Sequence, residues 1–180
     1  MLLWGANVMS IPTRKQINPY DDLDGRAACD HFFGKSLEQA EALFRENAHY
    51  YGEDLMWMGP VAFRYYVQAA TWLIKNESEP LRTEIIPSLV SALEHRLEYE
   101  QKELVPIAGQ LADVCGYILE HYKVLGDLPD TEEQTRALQD AVRRELKKFE
   151  HVLGKKSLEK DYVDLRPRLL KLVEDLSKLE

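Results

Sequence analysis

Apolar residues recur at intervals of three and four along most of this 180-residue chain, and this spacing restricts its fold more than any other feature. One example is the series Ile107, Leu111, Cys115 and Ile118. Alternating apolar and polar runs, which are typical of strands, are nearly absent. Because helices bury such stripes against one another, the pattern predicts an all-α fold. We expect a single domain of about seven helices packed as antiparallel pairs, a helical bundle with a HEAT-like arrangement as one option.

Start and stop signals divide the chain into these helices. Ser36 and Thr131 each open a capping box, and Gly34 and Gly154 supply helix stops. In the pair formed by Gly59 and the next residue, glycine ends one helix and proline opens another. The predicted helices are 23–33, one from 37 that continues past Gly52 or breaks near it, 60–75, one that ends near 101 with Pro87 in its first turn, one from 106 to about 125, 131–153 and 158–179.

The two ends of the chain carry different expectations. Residues 1–20 include two prolines in a polar stretch after Met9, so we expect a flexible N-terminal arm, with Met1 or Met9 as the natural start. Residues 21–180 form the helical domain, and 131–180 form its C-terminal αα-hairpin. The last helix carries a seam of leucines in an a/d register, which we expect to pack against the rest of the chain or a second copy. The seam consists of Leu165, Leu169, Leu172, Leu176 and Leu179.

Cysteine usage and targeting signals favour a cytoplasmic location. Cys29 and Cys115 are far apart and lack the spacing of a zinc motif or a disulfide framework, which favours reduced thiols. Residues 1–10 lack the basic start, apolar centre and cleavage site of a secretion signal. No window approaches the ~18 apolar residues of a membrane span, so we expect no membrane contact.

The charge distribution restricts the partners. The net charge is −8, with −9 in residues 1–130 and +1 in residues 131–180, which argues against nucleic acid as a partner. A basic patch consists of Arg143, Arg144, Lys147 and Lys148. Two interpretations stay open: a solvated helix face, or a patch that docks on an acidic surface of this chain or of a partner.

Residues 31–70 carry one resemblance. The segments HFFGKSLEQAEALFREN at 31–47 and YYGEDLMWMGP at 50–60, followed by Ala62 and Phe63, resemble a family of uncharacterised small bacterial all-helical proteins, a domain of unknown function. The resemblance implies a small helical protein of bacterial origin. It brings no activity, cofactor or catalytic residue with it.

Aromatic and charged residues are densest between positions 50 and 72. This cluster consists of Tyr50, Tyr51, Glu53, Asp54, Trp57, Arg64, Tyr65, Tyr66 and Trp72. It can be read as a recognition surface, because Tyr, Trp and Arg dominate interaction hot spots. The interpretation we favour is an aromatic helix-pair core. The adjacent carboxylates of Glu53 and Asp54 point about 100° apart on a helix, so they are poorly placed to share a proton.

Metal and catalytic motifs are weak. Glu46 and His49 form the one Glu-x-x-His in the chain, whereas carboxylate-bridged metal bundles need two such motifs and two further glutamates. We therefore expect no metal and no cofactor. The other histidines, at 31, 95, 121 and 151, are predicted to be surface or capping residues. Nucleophile elbows, P-loops and dinucleotide-binding glycine patterns are absent from the sequence.

These observations favour a non-enzymatic helical module that binds another protein or itself, because a stable scaffold without catalytic motifs more often binds than converts. The alternative is a helical enzyme or small-ligand-binding protein. Its aromatic and acidic pocket would lie around Tyr50 to Tyr66, with Glu53, Asp54 and Arg64 as orienting groups.

Overall fold

The computed structural model describes residues 10–77, 81–121 and 165–179, and every regular element in these ranges is a helix. The predicted all-α helical bundle is therefore confirmed. The elements are α1 (Arg14–Ile17), α2 (Leu23–Phe32), α3 (Leu37–Glu46), α4 (Ala48–Trp57), α5 (Pro60–Asn76), α6 (Leu81–Tyr99), α7 (Gln101–Leu104), a 3₁₀ turn (Val105–Ile107), α8 (Ala108–Glu120) and α9 (Leu165–Ser177).

Helix caps lie where the sequence predicts them at the start of α3 and α5. The Ser36 hydroxyl accepts from the backbone N–H of Gln39, and the Gln39 side chain accepts from the backbone N–H of Ser36 at 2.9 Å. Gly34 ends the preceding helix in a left-handed conformation with φ of 74°, which favours glycine. Pro60 occupies the first turn of α5 directly after Gly59.

The predicted break near Gly52 lies five residues earlier in the structure. Asn47 has an extended backbone, with φ of −158° and ψ of 91°, and separates α3 from α4. Its side chain accepts from the backbone N–H of Tyr50 at 2.9 Å and so caps α4. Gly52 lies inside α4, where its bare Cα allows close packing: a Cβ there would come within 2.8 Å of Cβ of Ser88 on α6.

Residues 10–20 are docked, unlike the flexible arm predicted for 1–20. Ile17 at the end of α1 is fully buried in the core, and its carbonyl accepts from the backbone N–H of Gly59 at 2.7 Å. The approach is so close that a Cβ on Gly59 would lie 2.6 Å from the carbonyl oxygen of Gln16. The predicted arm is therefore wrong for residues 10–20, because an apolar side chain and a backbone hydrogen bond fasten this segment.

Two further boundaries differ from the prediction. Pro87 lies inside α6, which begins at Leu81, rather than in the first turn of a shorter helix. The predicted start at Pro106 is instead a 3₁₀ turn that joins α7 to α8. Pro87 has no N–H to donate, so α6 lacks one backbone hydrogen bond there, whereas Pro106 lies in the first turn of the 3₁₀ helix, where no N–H is needed.

A single apolar core joins these helices. Within it, Phe32 packs against both Phe44 and Tyr66, and the Tyr66 hydroxyl donates to the carbonyl of Phe32 at 2.6 Å. The helix α9 packs mainly on α8 and α6, and four leucines of the predicted seam, at 165, 169, 172 and 176, are buried there. The seam is thus covered by this chain in the described part. The predicted partner helix 131–153 and its basic patch lie outside the described residues.

Candidate functional site

The helix α4 carries two adjacent carboxylates that face different surroundings. Asp54 is 6% exposed and points towards α2, whereas Glu53 is exposed and lines a groove between α4, α6 and α9. The sequence predicts this divergence, because successive residues of a helix are rotated by about 100°. The structure therefore has two candidate sites on different sides of one helix.

The first site is a chain of three side chains, Asp54, His31 and Tyr50, which we call the His31 triad. Nδ1 of His31 lies 2.7 Å from Oδ2 of Asp54, and the Tyr50 hydroxyl lies 3.4 Å from Nε2 of His31. Burial raises the pKa of Asp54 to about 6, although the hydrogen bond and charge of His31 act in the opposite direction. Tyr51 packs its ring at 89° to the imidazole with centroids 5.1 Å apart.

The second site is a groove of about 890 Å³, which we call the aromatic groove. Along one side runs a row of three rings, with Trp57 and His95 at 5.7 Å and His95 and Tyr99 at 4.8 Å between centroids. Trp57 is 44% exposed and Tyr99 is 67% exposed. Large aromatic side chains held at the surface in this way are typical of recognition surfaces.

Acidic side chains outnumber basic ones in the aromatic groove. Its lining contains four carboxylates and two cations: Glu53, Glu94, Glu98 and Asp175, with Arg168 and Lys171. Arg168 donates two hydrogen bonds to Glu94, at 2.7 and 2.8 Å, and so ties α9 to α6. The pKa of Tyr99 is raised because its hydroxyl donates a hydrogen bond to the carboxylate of Glu98 and because that carboxylate is negatively charged. The four carboxylates and two cations of the groove lining thus leave a net negative charge.

A buried arginine supports the helix end that carries Trp57. Arg96 is 1% exposed, and its Nη2 donates to the carbonyl of Leu55 at 2.8 Å and to that of Met58. Its guanidinium lies 4.1 Å from the centroid of the Phe63 ring and is paired with Glu100. Burial lowers the pKa of Arg96 to about 10, against the raising effect of Glu100, so it stays charged at neutral pH.

The structure divides the predicted binding residues among several places. Glu53 and Trp57 line the aromatic groove, while Tyr50 and Asp54 belong to the His31 triad, which Tyr51 adjoins. The two predicted residues on α5 lie apart from both sites. Arg64 donates to the backbone carbonyl and the carboxylate of Glu103, both at 2.9 Å, and Tyr65 is buried. The favoured core interpretation is thus right for Tyr65 and Tyr66 and wrong for the exposed Tyr50 and Trp57.

The Glu46 and His49 pair does not share a helical face. Glu46 ends α3, whereas His49 lies in the first turn of α4, because the extended Asn47 separates the two helices. Nε2 of His49 instead lies 3.8 Å from the carboxylate of Glu53. Across the described ranges, no group of three or more His, Cys, Asp or Glu side chains is arranged to hold a metal ion.

Three site residues were not found by sequence reasoning. His31, expected at a surface or cap, is the partner of a buried carboxylate 23 positions away, and no local pattern indicates that pairing. His95 and Tyr99 could have been noticed as an i, i+4 aromatic pair on the exposed side of α6. Their proximity to Trp57 follows only from the packing of α4 against α6.

The chain matches no protein-family model, no curated protein and no solved structure. The resemblance of residues 31–70 to a bacterial family of unknown function therefore stays a prediction. Of the helices that the structure describes, none has the length and apolar character required to cross a membrane.

Proposed function

We propose that this protein is a non-enzymatic helical interaction module whose aromatic groove binds a segment of a partner protein that bears Lys or Arg side chains. The observation that carries the proposal is the row of Trp57, His95 and Tyr99, with its two outer rings exposed, beside an excess of carboxylates. A cationic side chain that enters this groove gains ring contact and charge pairing together.

The composition of the groove supports a protein segment over a nucleic acid. The carboxylates of the groove lining outnumber its cations and so repel phosphates, and the acidic balance of residues 1–130 does the same over a longer range. Side chains of Lys or Arg complement both the rings and the carboxylates. Glu53 on α4 and Glu98 on α6 both line the groove, so a segment with two cationic side chains can pair with both carboxylates.

The test is direct binding of short helical peptides that differ in charge. One peptide carries Lys and Arg pairs one helical turn apart, and its matched control carries Glu and Gln at the same positions. We expect the basic peptide alone to bind, with an affinity that falls as salt is added. Trp57→Ala and Tyr99→Ala should each weaken binding by about tenfold or more.

Matched variants separate the groove from general surface effects. Tyr20→Ala removes a 72% exposed ring on a part of the chain that does not line the groove, and it should leave binding unchanged. Glu98→Gln should weaken binding, whereas Asp30→Asn should not, because Asp30 lies outside the groove on α2. Equal binding of both peptides, or equal effects of the groove and control variants, would contradict the proposal. Binding of free amines without basic peptides would favour a small-ligand site instead.

A further inference from the structure

We propose that Tyr50 is a nucleophilic tyrosine, a site that takes up the acyl group of an uncharged activated ester or acyl imidazole with His31 as the base and Asp54 as the residue that positions His31. The inference is independent of the aromatic groove. It rests on the geometry of the His31 triad and on the exposure of its outer member.

The hydrogen bonds of the His31 triad fix the roles of its nitrogens. An ionised Asp54 can only accept, so Nδ1 of His31, at 2.7 Å, carries the hydrogen. A neutral imidazole has one N–H, and Nε2 is then left as an acceptor. The Tyr50 hydroxyl, 3.4 Å from Nε2, is the group that faces it. The arrangement is that of a nucleophile, a base and an orienting carboxylate, and a contact of this length is common before a reactant binds.

Exposure to solvent increases along the triad from the carboxylate to the nucleophile, as attack on a reactant in solution requires. Asp54 is buried and held by α4, His31 is half-buried, and Tyr50 is 52% exposed. The ring of Tyr51 packs edge-on against the imidazole, the ring of Tyr50 lies 5.2 Å from it, and the two tyrosine rings lie 5.1 Å from each other, so contacts with both rings restrict the imidazole. An electrophile in solution can therefore reach the Tyr50 oxygen, while the base and its carboxylate stay fixed.

The step balances without any further reactant. The phenolic oxygen of Tyr50 attacks the acyl carbonyl carbon, and its proton passes to Nε2 of His31. The bond from the acyl carbon to the leaving group then breaks, and the leaving group departs with the electron pair and takes the proton from His31. The products are an ester on Tyr50 and the protonated leaving group, and His31 returns to its neutral form.

Local charge selects the kind of acyl donor. The pKa of Tyr51, next to Tyr50, is raised by burial and by the charges of Glu46 and Asp54. Glu53 adds a further negative charge that raises the pKa of Asp54. A negative field of this kind disfavours anionic donors such as acyl phosphates. Uncharged acyl imidazoles and aryl esters are the donors that the site accepts.

The experiment is limited acetylation of the full chain with N-acetylimidazole, followed by peptide mass spectrometry of each tyrosine. Tyr20 and Tyr99 are internal controls, because both are more exposed than Tyr50 but belong to no such triad. We expect Tyr50 to react about tenfold faster than either control tyrosine. This factor is smaller than the rate acceleration that a positioned general base typically gives. Release of the adduct by hydroxylamine identifies it as an ester.

Variants separate base catalysis from mere accessibility. His31→Gln and Asp54→Asn should each slow acetylation of Tyr50 by about tenfold while Tyr20 and Tyr99 react as before, and Tyr50→Phe should remove the adduct. Nitrogen-detected NMR should show Nδ1–H for His31 in the wild type and a mixture of tautomers in Asp54→Asn, which reports positioning directly. A Tyr50 that reacts no faster than Tyr20 and Tyr99 in the wild type would overturn the proposal, and this comparison needs no variant to fold. An unchanged Tyr50 rate in a folded His31→Gln chain would also overturn it.

Discussion

Arg96→Met should be strongly destabilising, because Arg96 completes the C-terminal end of α4. In a continuing helix the carbonyl of Leu55 would accept from the backbone N–H of Gly59, but that N–H donates to Ile17 instead. Nη2 of Arg96 supplies the replacement donor for Leu55 and also bonds the carbonyl of Met58. Methionine keeps the apolar stem of the side chain and removes every donor.

The magnitude follows from the groups that lose their donor. A buried carbonyl left without a partner costs about 1 to 3 kcal/mol, and the buried carbonyls of Leu55 and Met58 lose Arg96 here, together with a longer contact to the part-buried carbonyl of Met56. Glu100 also loses its ion pair but is partly exposed and can be hydrated. We therefore expect a loss of about 3 to 5 kcal/mol in the free energy of unfolding, in the range seen when one partner of a buried charged pair is removed.

Urea denaturation followed by far-ultraviolet circular dichroism measures this loss. Arg26→Met is the matched control, because Arg26 contacts Asp21 while both side chains are largely exposed, and it should change stability by less than about 0.5 kcal/mol. Arg96→Lys keeps one charge but not the planar fork, so it should fall between the wild type and Arg96→Met. A loss below about 1 kcal/mol for Arg96→Met, with an unchanged slope against urea, would refute this account of the α4 terminus.

Three further predictions concern other parts of the fold. The folded-state pKa of Asp54, about 6, lies above its ordinary value of 3.8, so the stability that this group contributes is lost as the pH rises from about 4 to 6. The unfolding free energy of the wild type relative to that of Asp54→Asn should therefore fall by up to about 3 kcal/mol over that range. A difference that stays constant with pH would contradict this. Gly52→Ala should destabilise by about 1 to 3 kcal/mol because its Cβ would meet Ser88, and Ser88→Gly in the same chain should recover most of the loss in thermal unfolding. A chain that ends at Asp130 lacks α9, whose buried leucines cover α8. We therefore expect this truncated chain to be less stable and to self-associate in sedimentation, because the apolar surface of α8 is left uncovered. A monomeric and fully stable truncation would show that α9 is dispensable.

Local signals were sufficient for much of the fold. The boundaries of α2, α3 and α5 follow from Gly34, the Ser36 capping box and Pro60, because each acts on the backbone within one turn. Local sequence signals did not predict the features that depend on contacts between residues far apart in the chain. The burial of Ile17 depends on Gly59, 42 positions away, where the missing Cβ lets the two backbones approach. A polar stretch with two prolines gives no sign of that contact.

The candidate sites were harder to predict than the helices for the same reason. The sequence marks Tyr50, Asp54 and Trp57 as notable but cannot say which of them face solvent, since that depends on α2 and α6. The aromatic groove joins residues near 57, 95–99 and 168–175, and the His31 triad joins position 31 to 50–54. Residues so far apart meet only through tertiary packing, and an aromatic-rich helix is consistent with either a core or a surface until its neighbours are known.

The angle between successive side chains of a helix explains why the ten-residue helix α4 can contribute to two chemically different sites. On α4, Asp54 turns towards His31 and away from water, so its carboxylate orients a base. Glu53 and Trp57 turn towards α6 and α9 and stay hydrated, so they can attract and contact a cation. Arg96 holds the end of the same helix through the carbonyls of Leu55 and Met58. Buried hydrogen-bond networks of this kind are rigid. The orientation of Trp57 in the groove therefore depends on Arg96, although Arg96 is buried and Trp57 is exposed. Variants of Arg96 that remain folded should therefore weaken peptide binding without altering any groove residue.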